Sequence, residues 1–227
     1  MQLPNDAKML INCFIKSGFE AYAVGGCVRD SLLGRPFDDV DITTSATPCE
    51  IISVLEKCNI RHIETGLKHG TVTALVNKKP YEITAFRKDG DYKDSRHPES
   101  VEFVRNLKED LLRRDFTVNA MAYNDESGIV DLFGGRQDLQ NGIIRAVGDP
   151  NKRFKEDALR IMRALRFASV LDFEIEKETH DALLKNANLL KNVSAERICA
   201  ELLKMLCGKN VIRILRDYSS VISVVIP

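Results

Sequence analysis

The chain has 227 residues, 44% hydrophobic and 29% charged, which is enough apolar side chain to bury a core in one α/β domain with a smaller helical piece. Its 33 basic and 33 acidic residues cancel, so no overall basic field announces a nucleic-acid partner. No apolar run approaches the ~20 residues that cross a bilayer, and the N-terminus lacks a signal peptide's apolar stretch, so the expectation is a soluble, cytoplasmic protein with no membrane partner.

The chain opens with a helical pattern that puts Ala7, Leu10, Ile11, Phe14 and Ile15 on one face. Residues 20–24 then read as a buried strand, Gly25-Gly26 as a turn, and residues 28–33 as a short helix ended by Gly34. Glycines at a strand-to-helix turn let the main chain approach a ligand, free N–H groups at the helix start hold phosphate oxygens, and Arg29 adds a charge there. Most Gly-Gly pairs simply make a turn, and that reading stands beside the functional one. Next, Asp39 and Asp41 alternate with Val40 and Ile42 in a strand pattern that puts both carboxylates on one face, with Cα atoms about 7 Å apart. Carboxylates so spaced converge on hard cations, and two ions ~4 Å apart serve phosphoryl or nucleotidyl transfer. The structural alternative is a solvated strand edge or a turn beginning at Asp38.

Thr47-Pro48-Cys49-Glu50 has the form of a capping box with proline at the first helical position, and Ile51, Val54, Leu55 and Cys58 form the buried stripe that follows. Strands at 71–76 and 81–87 flank Asn77-Lys78-Lys79-Pro80 as a hairpin, which makes the sheet mixed rather than purely parallel. Glu82, on one face with Thr84 and Phe86, is either a surface glutamate or a further carboxylate brought to the metal pair. Residues 88–100 are polar and read as a mobile loop, with Asp91, Arg96 and His97 as its contact candidates, before a strand at Val101.

Arg113-Arg114-Asp115 precedes a pattern read as a helix, with Val118, Met121 and Ala122 apolar and Asn119 needing a partner; structurally, the arginines bridge Glu109 or Asp110. Residues 131–139, with two adjacent glycines, read as a turn or hinge without a catalytic role. Arginines and lysines gather in residues 145–166, a local basic track suited to a phosphate backbone. A helix over 154–169 buries Ala158, Ile161, Met162, Leu165 and Ala168 and leaves Asp157, Arg160, Arg163 and Arg166 as a polar stripe. Asp157 and Arg160 then form either an i,i+3 ion pair worth about 0.2–0.5 kcal/mol or an acceptor-donor pair matching a base edge. Cys13, Cys27, Cys49, Cys58, Cys199 and Cys207 include no Cys-x-x-Cys pair and read as reduced thiols.

Five motifs now stand in order: Gly25-Gly26-Cys27-Val28-Arg29-Asp30 with Asp39-Val40-Asp41; Arg113-Arg114-Asp115-Phe116-Thr117-Val118-Asn119-Ala120-Met121; Asp131-Leu132-Phe133-Gly134-Gly135 with Asp138-Leu139; Glu156-Asp157-Ala158-Leu159-Arg160; and Ala195-Glu196-Arg197 with Glu201-Leu202. Together they resemble the class II tRNA nucleotidyltransferase and bacterial poly(A) polymerase family over residues 22–206. The resemblance implies a mixed α+β fold, with a polymerase β-like nucleotidyltransferase head over 1–148 and an all-helical, nucleobase-recognising neck over 149–227. It implies that Asp39 and Asp41 are catalytic and hold two magnesium ions, that Gly26 and Arg29 contact the triphosphate, and that Arg114 and Asp115 contact the ribose. Asp157 and Arg160 pair by the same analogy with the Watson-Crick edge of CTP or ATP. Asn119, Arg163 and Arg166 complete the nucleotide-binding set, to which Gly25, Arg96, Arg113 and Glu82 are added by position.

The implied activity is template-independent addition of CMP and AMP to the 3′ end of tRNA, the RNA hydroxyl attacking the α-phosphate and pyrophosphate leaving. An intact 88–100 segment argues against CC-only addition, because CC-only members typically lack it. A-only addition and poly(A) synthesis are the alternatives within the family, although the Gly-Arg-Arg-Phe-Arg pattern of one poly(A) branch is absent. A transferase acting on a small hydroxylated acceptor shares the metal pair but gives no reason for the Asp157/Arg160 helix, and an idle nucleotide- or RNA-binding module is the alternative of another class. No protein partner is indicated. Family members continue into body and tail domains that grip tRNA, so this chain, ending in an apolar run at 221–226, is expected to be a head-and-neck piece truncated before them.

Overall fold

The computed structural model describes residues 1–90 and 100–226, which fold as two units. The first unit takes residues 1–89, 101–114 and 118–135, and the second takes the rest of the described chain.

In the first unit, α1 (Asn5–Lys16) buries Ala7, Leu10, Ile11 and Phe14 and leads into β1 (Ala21–Val24), whose four residues are all buried. A strand covered on both faces reads as a continuous apolar run, as this one does. After β1 come α2 (Gly26–Leu32), β2 (Asp41–Thr44) and α3 (Pro48–Lys57), whose capping box forms as the sequence requires. Then follow β3 (Arg61–Gly66), β4 (Thr71–Val76), β5 (Lys79–Ala85), β6 (Arg87–Asp89), β7 (Val101–Phe103), α4 (Leu107–Leu112), β8 (Met121–Asn124) and β9 (Gly128–Asp131). Seven strands make one sheet in the order β3-β4-β5-β2-β1-β8-β9. The β2–β5 pair is parallel, Ile42 facing Ile83, and its neighbours are antiparallel, so the sheet is mixed as the hairpin demanded. Ile42, Ile51, Leu55 and Ile83 are fully enclosed, each stabilising the fold by about 1.5–3 kcal/mol of transfer free energy.

Several boundaries differ from the sequence reading, each for a tertiary reason. The run after Asp115 is not a helix but a single 3-10 turn (Thr117–Asn119) followed by β8, which pairs with both β1 and β9. A short apolar run suits either state, and the strand partners decide. The hairpin turn contains only Asn77 and Lys78, with φ of 50° and 66°, so Lys79 and Pro80 already belong to β5. Edge strand β3 is mostly exposed and carries no apolar alternation that would announce it. The strand read over 81–87 ends at Ala85, and Arg87 instead joins Lys88 and Asp89, read as loop, in β6, paired with β7.

The second unit is helical: α5 (Gly135–Asn141), α6 (Pro150–Glu156), α7 (Leu159–Leu171), α8 (Lys177–Asn186), α9 (Ala195–Leu206), α10 (Val211–Asp217) and α11 (Ser219–Ile222), with β10 (Ile143–Ile144) and β11 (Glu174–Ile175) as a two-residue parallel pair. Ten of the thirteen residues of α7 are buried, which makes it the central helix of this unit. Ser169 Oγ donates to Met205 O at 2.8 Å, and a Cβ on Gly208 would overlap Ser169, so only glycine allows that approach. The expected helix over 154–169 is broken: Asp157 takes an extended backbone between α6 and α7, φ −140° and ψ 103°, and its Oδ1 accepts from Leu159 N at 3.1 Å. Among the described residues no helix is long and apolar enough to cross a membrane.

Candidate active site

Gly25 and Gly26 do different work. Gly25 has φ 80° and ψ −130°, a backbone open to glycine and strained for other residues, and it reverses the chain between β1 and α2. Gly26 is the first residue of α2 itself. Arg29, one turn on, is held in both directions: Nε and Nη2 donate to the two carboxylate oxygens of Asp30 at 2.9 and 2.7 Å, and Nη1 donates to Asn119 Oδ1 at 2.6 Å. Asn119 thereby finds the partner its sequence position called for, and the 3-10 turn rather than a helix delivers it.

The metal-type pair keeps its alternation although only Asp41 lies within the hydrogen-bonded strand. Asp39 and Asp41 are exposed while Val40 and Ile42 are buried. Pairing stops at Val24–Asp41 because β1 turns away at Gly25, leaving Asp39 no strand to join. The Asp41 carboxyl is open on one side and enclosed on the others; that enclosure raises its pKa, Arg114 opposes the rise, and the Asp39 charge adds to it. Two hard oxygen donors that penalise each other's charge fit a cation, which relieves the penalty. Glu82 is exposed on β5 beside β2, and among the described residues no group of three or more His, Cys, Asp or Glu side chains gathers into a metal-holding cluster.

Arg113 and Arg114 are both anchored on Asp110 of α4, Arg113 through Nε and Nη2 at 3.0 and 2.8 Å and Arg114 through Nη2 at 3.1 Å. Arg114 Nη1 also lies 3.6 Å from where a Cβ on Gly25 would stand. Arg114, the glycine turn and Asp41 are thus gathered in one corner of the first unit.

In the second unit the polar stripe of α7 is wholly engaged. Arg163 Nε and Nη2 donate to Asp115 Oδ2 at 2.8 and 2.6 Å, and Asp115, then Glu201, raise the Arg163 pKa against the effect of burial. Arg166 Nε stands 2.8 Å from Glu201. Asp157 and Arg160 do not pair with each other: Asp157 Oδ2 accepts from Arg197 Nη2 at 2.9 Å, and Arg160 Nη1 donates to Glu156 Oε2 at 2.9 Å and to Arg153 O at 3.2 Å. Glu156 also accepts from Arg153 at 2.7 Å, and Arg145 meets Asp138 and Glu176, so the arginines of the expected basic track face carboxylates. Arg160, expected on an open stripe, is only 9% exposed.

The sequence reading missed the counter-charges Asp30, Glu156, Arg197 and Glu201, whereas of the two partners it offered for Arg113 and Arg114, Glu109 and Asp110, the arginines take Asp110. A signal was present for some of them, because Asp30 adjoins Arg29 and Glu156 lies four residues before Arg160, the spacing at which helix side chains meet. Arg96, with Asp91 and His97, lies outside the described residues. The six thiols are free, and burial, with the Asp41 charge behind it, pushes Cys27 up to about 12.

Residues 21–145 match the family described as the poly A polymerase head domain, more than half of the chain. The chain belongs to that family. Residues 172–219 further match the family described as the probable RNA and SrmB-binding site of polymerase A. The CCA-adding enzyme of Ligilactobacillus salivarius is 55% identical over 195 residues, covering 86% of this chain and 47% of the relative. The crystal structure of the Bacillus stearothermophilus CCA-adding enzyme in complex with CTP superposes with a TM-score of 0.84 at 45% identity, over 95% of this chain and 51% of that one. The Thermotoga maritima CCA-adding enzyme complexed with tRNA matches with a TM-score of 0.76 at 28% identity, over 96% of this chain and 50% of that one. This head-domain family member thus spans about half the length of the relatives it matches.

Proposed function

We propose that this chain carries the nucleotide-transfer machinery of a template-independent RNA nucleotidyltransferase, which adds CMP and AMP from CTP and ATP to the 3′ end of tRNA in the cytoplasm. The observation that carries the reading is the open Asp39/Asp41 pair beside Arg114 and the Gly25 turn. Residues 1–148 act as the catalytic head and 149–227 as the base-recognising neck. The bound CTP of the Bacillus relative and the bound tRNA of the Thermotoga relative support the substrates named.

Asp39 and Asp41 would hold magnesium, which supplies a lowered pKa for the attacking hydroxyl and charge neutralisation for the leaving pyrophosphate. Gly25 and Gly26 leave the turn bare of side chains, so phosphate oxygens reach backbone N–H groups, and Arg29, held rigid by Asp30 and Asn119, presents its charge without losing rotamer freedom on binding. Arg114, with Arg113 behind it, meets the ribose and phosphates. In the neck, Asp157 accepts from the exocyclic amino group shared by cytosine and adenine while Arg160 donates to the adjacent ring nitrogen. Asp115, Arg163, Arg166 and Glu201 hold α7 and α9 in register beneath that edge.

The test is incorporation of labelled CTP and ATP, with magnesium, onto tRNA lacking its terminal CCA, by this chain and by its Asp39→Ala/Asp41→Ala variant. Ordered addition of two C and one A, lost in the variant, is the expected result. Runs of A on any RNA would instead assign poly(A) synthesis, and nucleotide binding indifferent to magnesium would assign an idle binding module.

A further inference from the structure

Asp110 has no place in the chemistry above, yet it is fully enclosed, with 0% of its surface exposed. A lone carboxylate in that position is costly, and it is tolerated only when its charge and lone pairs are satisfied. Both of its oxygens are. Oδ1 accepts from Arg113 Nε and Nη2 at 3.0 and 2.8 Å and from Arg87 N at 3.4 Å. Oδ2 accepts from Arg114 Nη2 at 3.1 Å and from Thr43 Oγ1 at 3.2 Å. Burial works against its ionised form, and the Arg113 and Arg114 charges outweigh that, holding its carboxyl below the ordinary range.

The two groups on Oδ2 belong to different parts of the candidate site. Thr43 shares the strand face of Asp41, two residues away on β2. Arg114 reaches the Gly25 turn with its other terminal nitrogen. Arg114 also acts electrostatically on Asp41, so the Asp110 anchor fixes where that charge stands between the metal-type carboxylates and the turn. An arginine side chain has several rotatable bonds that end in a planar fork; fixing one nitrogen of the fork on a buried carboxylate leaves the other terminal nitrogen to receive a ligand.

We propose that Asp110 is a positioning residue for nucleoside triphosphate binding, a buried clamp that holds Arg114 at the Gly25 turn and ties it to the strand of Asp41. This rests on the nucleotide-binding role proposed for Arg114. Asp110 touches no substrate; it acts through the arginine.

The test is calorimetric titration of CTP with magnesium into the whole chain and four variants: Asp110→Asn, Arg114→Met, the double variant, and Leu111→Ala, a fully buried neighbour on the same helix that reports general loss of stability. Asp110→Asn is expected to weaken CTP binding about tenfold, the scale at which a displaced binding group is felt, and Arg114→Met at least as much. The double variant is expected to bind no more weakly than Arg114→Met, because the clamp has nothing left to hold. Leu111→Ala is expected to melt earlier and bind within twofold of the parent chain. Additive losses in the double variant, unchanged binding by Asp110→Asn, or an equal loss in Leu111→Ala would each overturn the clamp while leaving the nucleotide-transfer reading intact. Absence of CTP binding by the parent chain would overturn both.

Discussion

Replacing Gly25 and Gly26 separately by alanine divides the fold's need for a glycine from the ligand's. At Gly25 an added Cβ meets no hard clash, its nearest neighbours being Arg114 Nη1 at 3.6 Å and Asn119 O at 3.9 Å, so the cost lies in the backbone. A conformation of φ 80° and ψ −130° costs an L-residue about 1–3 kcal/mol. At 2–4 °C per kcal/mol for a chain of this size, Gly25→Ala should melt about 2–12 °C below the parent. At Gly26 the backbone is helical and the methyl stands 3.6 Å from Arg29 Nη2, an ordinary contact. Gly26→Ala should therefore be neutral or stabilising by about 0.4–1 kcal/mol, chiefly through the unfolded chain. CTP affinity should fall about tenfold in Gly26→Ala all the same, because the methyl occupies the space through which a phosphate reaches the turn. The assay pairs thermal melts followed by circular dichroism with CTP titration. A Gly25→Ala protein melting within about 1 °C of the parent, or a Gly26→Ala protein losing as much stability as Gly25→Ala, would refute the division.

Asp41→Asn should raise the metal-free melting temperature by about 1 °C and abolish transfer, since the raised pKa means that ionised Asp41 destabilises the fold above the ordinary carboxylate range and that the penalty lifts as pH falls through its folded value. A lower melting temperature in magnesium-free buffer would contradict this. Glu50, hydrogen-bonded by Arg105 and drawn down to about 2, contributes stability that is complete above its ordinary 4.5 and is lost as pH falls toward 2. Urea titrations of Glu50→Gln should show a deficit of about 0.5 kcal/mol near pH 6, from the lost charge opposite Arg105 since a glutamine still closes the capping box, that shrinks near pH 3. Arg197→Met removes the partner of Asp157 and should cost about 1 kcal/mol in a thermal melt while weakening both CTP and ATP; unchanged affinity for both would separate that ion pair from base recognition.

Local chemistry announced much of the first unit. The all-apolar β1, the capping box at Thr47 and Glu50, and the alternation of Asp39, Val40, Asp41 and Ile42 depend on neighbours within a few residues, so they are written in consecutive letters. The motif order alone indicated the family to which residues 21–145 belong. What needed the folded chain were states and partners set across long separations. The run at Met121 becomes a strand because β1 and β9 lie on either side of it, and Asp39 falls outside β2 because β1 turns away at Gly25. The charge map was the least legible. Arg163 is answered by Asp115, 48 residues away, Asp157 by Arg197, 40 away, and Thr43 by Asp110, 67 away. Periodicity records which face a side chain takes, but the identity of a buried counter-charge is decided by which elements the tertiary fold brings within about 3 Å, a distance no sequence spacing encodes.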